Sequence, residues 1–327
     1  MKGQIMTIEK IKLPGTEFSL FPIGYGTVDI GLKKKDPADI YPVLEAYLDL
    51  GGNVIDTARI YSDWVPPEIG RSERILGEWI RSRGRHDDFV LITKGGHPRL
   101  DDMHTPRMSE KDMQGDIELS LKSLGVDCID IYFYHRDDIS VPVGTLLEVM
   151  ESQRKKGNIK YYGCSNWTSA RIDEAEKYAA EHGLRGFVAN QMLFNIGQKY
   201  MLPFDDDTMV GMDDHMMEIH RRGNNLAMPY FGLCSGFFHK LDAQGPDAVK
   251  GSPYCTPGNL RLKARLDKIR EETGASLTQV LLGFFYAQDF PVLPLVFSSN
   301  IEHLKDAMAA PGLKLDPAYY DFGGDEA

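Results

Sequence analysis

The stretch Asn53-Val54-Ile55-Asp56-Thr57-Ala58-Arg59-Ile60-Tyr61 joins a short apolar run to an acid at its end and a tyrosine five residues further on. A short apolar run of this kind is typical of a strand buried on both faces, as in a parallel sheet. The same arrangement occurs twice more. Phe89–Thr93 is followed by Lys94, and Ile129–Tyr134 is followed by His135.

Short apolar runs alternate with longer amphipathic segments along the 327 residues, which indicates βα units and a parallel sheet. Strands are predicted near residues 21–25, 53–56, 89–94, 128–134, 160–164, 186–190, 226–230 and 291–296. Helices are predicted near residues 37–50, 71–83, 109–124, 142–156, 168–182, 211–222, 259–273, 276–288 and 300–309. Eight strands with intervening helices predict an α/β fold, a (β/α)8 TIM barrel, as one domain over residues 1–327.

One connection in this series is unusually long. Residues 231–258 are rich in Gly, Pro and Phe, and long βα loops on a rigid barrel usually carry function. We expect a lid or substrate loop there, and a short tail at the C-terminus.

Composition excludes several classes of protein. The net charge of −11, from 37 basic and 48 acidic residues, argues against a nucleic-acid surface. The four cysteines are widely spaced and form no CxxC, so neither a zinc site nor a disulfide framework is predicted. Asp205-Asp206-Asp207 lacks the spacing of a calcium loop, and no metal is expected. No run approaches the ~18 apolar residues of a membrane span, so a cytoplasmic location is predicted.

The polar residues at or near the predicted strand ends indicate a catalytic site only when they are considered together. Alone, Asp56 is as well explained as a helix cap, Lys94 as a solvated charge, His135 as a structural histidine and Tyr61 as a packing residue. The carboxyl ends of barrel strands converge on one mouth, where barrel enzymes hold their active sites. These four residues are therefore predicted to meet and to be catalytic.

This set of residues and its order resemble the catalytic tetrad of the aldo-keto reductases, and the resemblance extends over roughly residues 12–310. Three further stretches carry it. Gly51–Ala58 is similar to the family's second-strand signature, Ser120–Asp130 to the signature before the histidine, and Gly157–Asn166 to the run of the fifth strand.

The resemblance implies reduction of a carbonyl, which requires a hydride on carbon and a proton on oxygen. A tyrosine hydroxyl, with an ordinary pKa of about 10, is a weak acid. An ammonium at Lys94 lowers that pKa, and Asp56 fixes Lys94. Tyr61 then acts as general acid in reduction and base in oxidation, and His135 orients the carbonyl oxygen.

The resemblance also implies a nicotinamide coenzyme across the mouth. Ser165, Asn166 and Gln191 match the residues that hold the carboxamide, and Tyr230 matches the aromatic that stacks on the ring. Ser165 and Asn166 are also compatible with capping the next helix. After Tyr230 the chain departs from the family's usual Ser-Pro-Leu-like run, and contacts to the pyrophosphate are expected from Leu233, Ser235, Gly236 and Phe237.

The second departure concerns the adenosine 2′-phosphate. Phe297 stands where the family places a basic residue, and His303 stands near the position of an arginine. Ser298 and the N-terminus of the next helix remain as phosphate ligands. NADP(H) is the expected cofactor, NAD(H) is the alternative, and the discrimination between them is predicted to be weak.

The substrate site is predicted more coarsely. Trp64, on the loop after Tyr61, and Trp167 are candidate pocket residues. Arg136, Asp137 and Asp138, beside the catalytic histidine, suggest a polar, sugar-like carbonyl, and a surface ion pair is the alternative explanation for them. The predicted function is an NAD(P)(H)-dependent oxidoreductase of small carbonyls, with no nucleic-acid or membrane partner and with the oligomeric state left open. The alternative is a regulatory subunit of reductase fold that binds cofactor but turns over little.

Overall fold

A computed structural model describes residues 8–30, 37–65 and 69–321. Within them lie the strands β1 (Ile11–Lys12), β2 (Ser19–Leu20), β3 (Gly24–Gly26), β4 (Val54–Asp56), β5 (Val90–Gly95), β6 (Ile129–Tyr134), β7 (Ile159–Ser165), β8 (Ala189–Gln191), β9 (Leu226–Ala227) and β10 (Leu295–Val296). Strands β3 to β10 form one parallel sheet in the order β10-β3-β4-β5-β6-β7-β8-β9. This confirms the predicted fold class.

The sheet closes into a barrel between its two edge strands. Ala227 at the end of β9 forms a parallel bridge with Val292, just before β10. The Leu293 amide donates to the Ala227 carbonyl at 2.9 Å, and the Leu295 amide donates to the Pro229 carbonyl at 2.9 Å. Closure removes both free edges of the sheet and brings all eight carboxyl ends to one rim.

The hairpin of β1 and β2 lies at the amino ends of the barrel strands and was not predicted from the sequence. Leu20 leads into β3 within four residues, and with Leu13 it is buried in an apolar cluster with the barrel-lining residues Val54, Ile131 and Leu293. The hairpin therefore forms an apolar floor. The mouth at the opposite, carboxyl end holds most of the predicted site residues.

The helices are α1 (Tyr41–Asp49), α2 (Arg71–Arg83), α3 (Glu110–Leu124), α4 (Val143–Lys155), α5 (Ser169–His182), α6 (Asp214–Arg221), α7 (Phe237–Gln244), α8 (Pro257–Thr273), α9 (Leu277–Tyr286) and α10 (Ile301–Ala309). The predicted helices and strands are present, with ends shifted by up to four residues. Caps explain several helix limits. Ser109 accepts from the Asp112 amide at 3.1 Å, and Gly125 ends α3 at a φ of 71°.

Helix α7 is the main difference from the sequence prediction, because it lies within the predicted loop 231–258. It begins after Gly236, whose φ of 74° is left-handed, and has no side-chain cap. Phe237 and Phe238 are buried against α8 and α9 in an apolar cluster with Leu262, Leu266 and Val280. Residues 322–327 of the predicted tail and 66–68 of the loop after Tyr61 lie outside the described residues. None of the described helices is long and apolar enough to cross a membrane.

A buried carboxyl group lies on the outer side of the barrel wall, beneath α2. Glu73 has no solvent exposure, and one of its oxygens accepts from the Thr93 hydroxyl at 2.7 Å. Its other oxygen has no hydrogen-bond partner among the described residues. Burial raises the pKa of Glu73 to about 7, against the hydrogen bond from Thr93 and the charge of Arg59, which lower it.

We therefore expect Glu73→Gln to change how stability depends on pH. The folded state holds this proton more tightly than the unfolded chain does, so the stabilisation is complete below about pH 4.5 and is lost as pH rises to about 7. The difference amounts to about 3 kcal/mol. Urea unfolding should show the variant gaining about that much on wild type between about pH 4.5 and about pH 8. Glu78→Gln, on the exposed side of α2, is the control and should show no such gain.

Candidate active site

A cavity of about 460 Å³ opens at the carboxyl ends of the strands. Side chains from the ends of β4 to β8 surround its inner part, and the segment after β9 and the end of β10 form its outer part. The predicted site residues that line it are Asp56, Tyr61, Lys94, His135, Arg136, Ser165, Asn166, Gln191, Tyr230, Leu233, Ser235 and Gly236.

Lys94 is at the centre of the inner part. Its Nζ donates to Asp56 Oδ1 at 2.5 Å, to the Thr57 carbonyl at 2.8 Å and to the Tyr61 hydroxyl at 2.9 Å. Lys94 and Asp56 are each only 1% exposed, so this is an ion pair in a dry environment. The ammonium therefore has one anionic partner and one phenol within hydrogen-bond distance.

The barrel explains why residues so far apart in sequence meet. Asp56 ends β4 and Lys94 is the penultimate residue of β5, so their side chains enter the same mouth. A turn then returns Tyr61 over the strand ends. It is held by the Arg59 amide, which donates to the Lys94 carbonyl at 3.0 Å, and by the Tyr61 amide, which donates to the Ala58 carbonyl at 3.1 Å.

The electrostatics differ in one respect from the sequence expectation. Burial lowers the pKa of Lys94, but Asp56 and Tyr61 outweigh it, so the pKa is raised and the side chain is an ammonium. For Tyr61, burial raises the pKa more than Lys94 lowers it, and Asp56 adds to the rise. The hydroxyl is therefore protonated at neutral pH. The ammonium does not lower the pKa of Tyr61 below the ordinary value because burial outweighs it, and the charge of Asp56 adds to the rise.

His135 follows β6 and faces Tyr61, with ring centroids 5.7 Å apart in an edge-to-face arrangement. Burial lowers the pKa of His135 well below its ordinary value, and the charges of His97, Arg136 and Lys94 lower it further. His135 is therefore neutral and carries one ring proton that can be donated to an oxygen. Its neighbour His97, 4.8 Å away between centroids, was not singled out from the sequence because nothing in the local pattern separates it from a loop residue.

A second group of polar side chains continues around the mouth from β7 to β9. Asn166 has a left-handed φ of 60°, which is unusual for a residue other than glycine and often marks a functional position. Its Nδ2 donates to Ser165 Oγ at 3.0 Å, and its Oδ1 accepts from the Tyr230 hydroxyl at 2.6 Å. Gln191 donates to Asp56 Oδ2 at 2.6 Å. Gln191 thus contacts the carboxylate that holds Lys94, a link the sequence did not reveal.

The outer part of the cavity has a distinctive backbone. Phe231, Cys234 and Ser235 all have φ between 51° and 56°, and Gly236 follows at 74° just before α7. Leu233, Ser235 and Gly236 line the cavity, as does Phe297 after β10, whereas Phe237 is buried. Ser298 lies beyond the lining residues, and its hydroxyl is engaged with the backbone of Asn300 at 3.0 and 3.1 Å.

The candidate substrate residues are only partly brought together. Trp167 is fully buried behind the site, where its indole donates to the Arg136 carbonyl at 3.1 Å. Trp64 is 44% exposed and lies outside the cavity lining. Arg136 lines the cavity, but its guanidinium is engaged with Asp206 at 2.8 Å. The neighbouring Asp137 is paired with Arg171 at 2.9 Å.

A barrel with a lysine–carboxylate pair beside a protonated tyrosine and a neutral histidine defines a class, the barrel oxidoreductases that reduce carbonyls. Comparison with known proteins agrees with this class. The family model described as "Aldo/keto reductase family" matches residues 22–321. The chain belongs to the aldo/keto reductase family, and it is an NAD(P)(H)-dependent oxidoreductase that interconverts a carbonyl and an alcohol.

Individual relatives are distant in sequence but cover most of the chain. Norsolorinic acid reductase B of Dothistroma septosporum is 28% identical over 85% of this chain and 69% of its own length. The aryl-alcohol dehydrogenase [NADP(+)] of Phanerodontia chrysosporium is 27% identical over 95% of this chain and 84% of its own. The probable aryl-alcohol dehydrogenase AAD4 of Saccharomyces cerevisiae is 27% identical over 90% and 88%.

Proposed function

We propose that this enzyme reduces aromatic aldehydes, and oxidises the corresponding alcohols, with Tyr61 as its general acid and base. The observation that carries the catalytic assignment is the position of Lys94, within hydrogen-bond distance of both Asp56 and the Tyr61 hydroxyl inside the cavity.

The residues divide the chemistry among them. A bound nicotinamide coenzyme supplies or accepts the hydride. Tyr61 donates its proton to the carbonyl oxygen during reduction, and Lys94 stabilises the phenolate left behind. Asp56, held in turn by Gln191, keeps the ammonium in place. Neutral His135 donates a hydrogen bond to the same oxygen and so orients it while negative charge develops.

The cavity fits a nicotinamide coenzyme. Ser165, Asn166 and Gln191 offer both donors and acceptors to a carboxamide, and the Tyr230 ring forms an adjacent wall. The Cys234 and Gly236 amides are engaged within the turn, so the first backbone amides of α7 are the groups proposed to bind a diphosphate. NADP(H) is the proposed cofactor. Phe297 offers no charge to the 2′-phosphate and Lys305 is paired with Glu302 at 2.8 Å, so NAD(H) use is proposed as well.

The aromatic substrate is proposed from the remaining wall of the cavity. Phe231, Met209 and Leu233 line it, and the charged groups that suggested a sugar-like substrate are paired within the protein. The two relatives named aryl-alcohol dehydrogenase point to the same substrate class. This proposal replaces the sequence-based expectation of a polar substrate.

The test is turnover of the purified chain with benzaldehyde-type and polyhydroxylated aldehydes, using NADPH and NADH in parallel. Burial of an aromatic ring stabilises a complex by about 1.5–3 kcal/mol. We therefore expect kcat/KM for aromatic aldehydes to exceed that for sugars by at least about tenfold. A preference for sugars would overturn the substrate class. Coenzyme binding without measurable turnover would favour the regulatory-subunit alternative.

A further inference from the structure

The segment from Phe204 to Val210, the wall segment, forms one side of the cavity although it lies on the connection between β8 and α6. Met209 lines the cavity directly. Phe204 packs against Phe231, another lining residue, with ring centroids 5.3 Å apart. The shape of the substrate pocket on this side therefore depends on where the wall segment lies.

The C-terminal end of the wall segment is tied to the barrel by backbone contacts. The Leu193 amide donates to the Val210 carbonyl at 2.9 Å, and the Met212 amide donates to the Leu193 carbonyl at 2.8 Å. The Val210 amide also donates to Asn166 Oδ1 at 3.1 Å. These contacts fix residues 210–212 and leave residues 204–209 dependent on side chains.

The side chain that holds the middle of the wall segment is Arg136. Its Nε donates to Thr208 Oγ1 at 2.7 Å, and one terminal nitrogen donates to Asp206 Oδ2 at 2.8 Å. Asp206 Oδ1 in turn accepts from the Thr208 amide at 3.0 Å and from the Thr208 hydroxyl. The three side chains form a closed ring of hydrogen bonds. Burial raises the pKa of Asp206, but bonds from Thr208 and the charge of Arg136 outweigh it and lower that pKa, so the pair is ionic.

Arg136 is also joined to the catalytic side of the cavity. It is only 8% exposed, and its other terminal nitrogen donates to the backbone carbonyl of His135 at 3.0 Å. The guanidinium has five N–H groups in a fixed plane, and these contacts use three of them, two toward the wall segment and one toward His135. A substrate anion at this guanidinium would compete with the Asp206 carboxylate for it.

We propose that Arg136 is a positioning residue for substrate selectivity: it latches the wall segment onto the His135 side of the cavity and does not bind substrate. The inference rests on the proposed function for its substrate class. Met209 and Phe231 then contact the substrate, and Arg136 with Asp206 and Thr208 determines how closely they approach it.

The test compares Asp206→Asn and Thr208→Val with two matched controls. Asp207→Asn neutralises the adjacent acid, which is exposed. Among the described residues its ion-pair partner is His104, at 3.7 Å. Thr208→Ser keeps the hydroxyl. Loss of a charge-assisted hydrogen bond weakens an interaction by roughly 10- to 150-fold. We expect KM for an aromatic aldehyde to rise at least about tenfold in both test variants, with kcat and coenzyme affinity changed by less than about twofold.

A second readout does not depend on turnover. Chymotrypsin should cleave after Phe204 faster in Asp206→Asn and Thr208→Val than in the two controls, because a released segment reaches the protease more often. Thr208→Val keeps the ion pair and is the safeguard if Asp206→Asn folds poorly. Unchanged KM and unchanged cleavage in both test variants would overturn the latch. A fall in kcat at constant KM in the two test variants would overturn the proposal too, because it would mean that Arg136 positions His135 rather than the wall segment. If the wild-type protein shows no turnover but the two test variants are still cleaved faster than the two controls, the latch stands and only the proposed function is rejected.

Discussion

Tyr61→Phe is expected to lower kcat by at least about 10³-fold, because positioned general acid–base groups contribute about 10²- to 10⁴-fold and the variant retains no replacement. Phenylalanine keeps the ring that packs edge-to-face on His135, so the site should stay assembled. Steady-state turnover with an aromatic aldehyde measures the effect. Fluorescence titration of the coenzyme should give the wild-type affinity, since the hydrogen bond of the Tyr61 hydroxyl is to Lys94 and the ring is retained.

Tyr178→Phe is the matched control for this prediction. It removes a tyrosine hydroxyl that bonds Glu148 on the helical surface, at 2.5 Å, far from the mouth of the barrel. Its kcat should equal that of wild type. Retention of more than about a tenth of the activity in Tyr61→Phe would mean that another group supplies the proton.

Lys94→Met is expected to reduce both stability and turnover. It leaves Asp56, 1% exposed, with Gln191 as its remaining side-chain partner. Breaking a buried ion pair by removing one member costs about 3–5 kcal/mol, because the other charge stays buried without compensation. Urea unfolding measures that loss. Turnover should fall by about 10²-fold or more, since no cation then stabilises the Tyr61 phenolate.

The double variant Asp56→Asn, Lys94→Met separates the two effects. A neutral amide can be buried next to methionine at lower cost than a lone carboxylate, so stability should recover in part. Activity should not recover, because the ammonium is still absent. A double variant as unstable as Lys94→Met, or one that regains turnover, would contradict the assignment of Lys94 as the charge partner of Tyr61.

The inner part of the site was predictable because its residues occupy defined places on strands. Asp56, Lys94 and His135 lie at the ends of three consecutive barrel strands, and parallel strand order alone brings such ends together, whereas Gln191 was expected only from the family resemblance. The apolar runs that form these strands can be recognised from a few neighbouring residues in the sequence. The sequence therefore predicted which side chains face the mouth without any knowledge of their partners.

The features that escaped prediction depend on contacts that leave no local pattern. Arg136 and Asp206 are 70 residues apart, and Asp206 belongs to a run of three acids that looks like a solvated loop. Glu73 sits on an amphipathic helix where an acid normally faces water. Helix α7 has eight residues and a glycine at its cap, so it is formed by the burial of Phe237 and Phe238 rather than by its own propensity.

The β1–β2 hairpin closes the end of the barrel opposite the cavity, so the two ends of the molecule differ in function. All traffic of coenzyme and substrate passes through the single rim at the carboxyl ends, and the hairpin occupies the opposite pole. Lys10 and Lys12 are exposed on that pole, so a solid support or a reporter dye attached at either of these two positions alone would leave the entrance free. The molecule can in this way be fixed to an electrode or a bead with its entrance facing the solution.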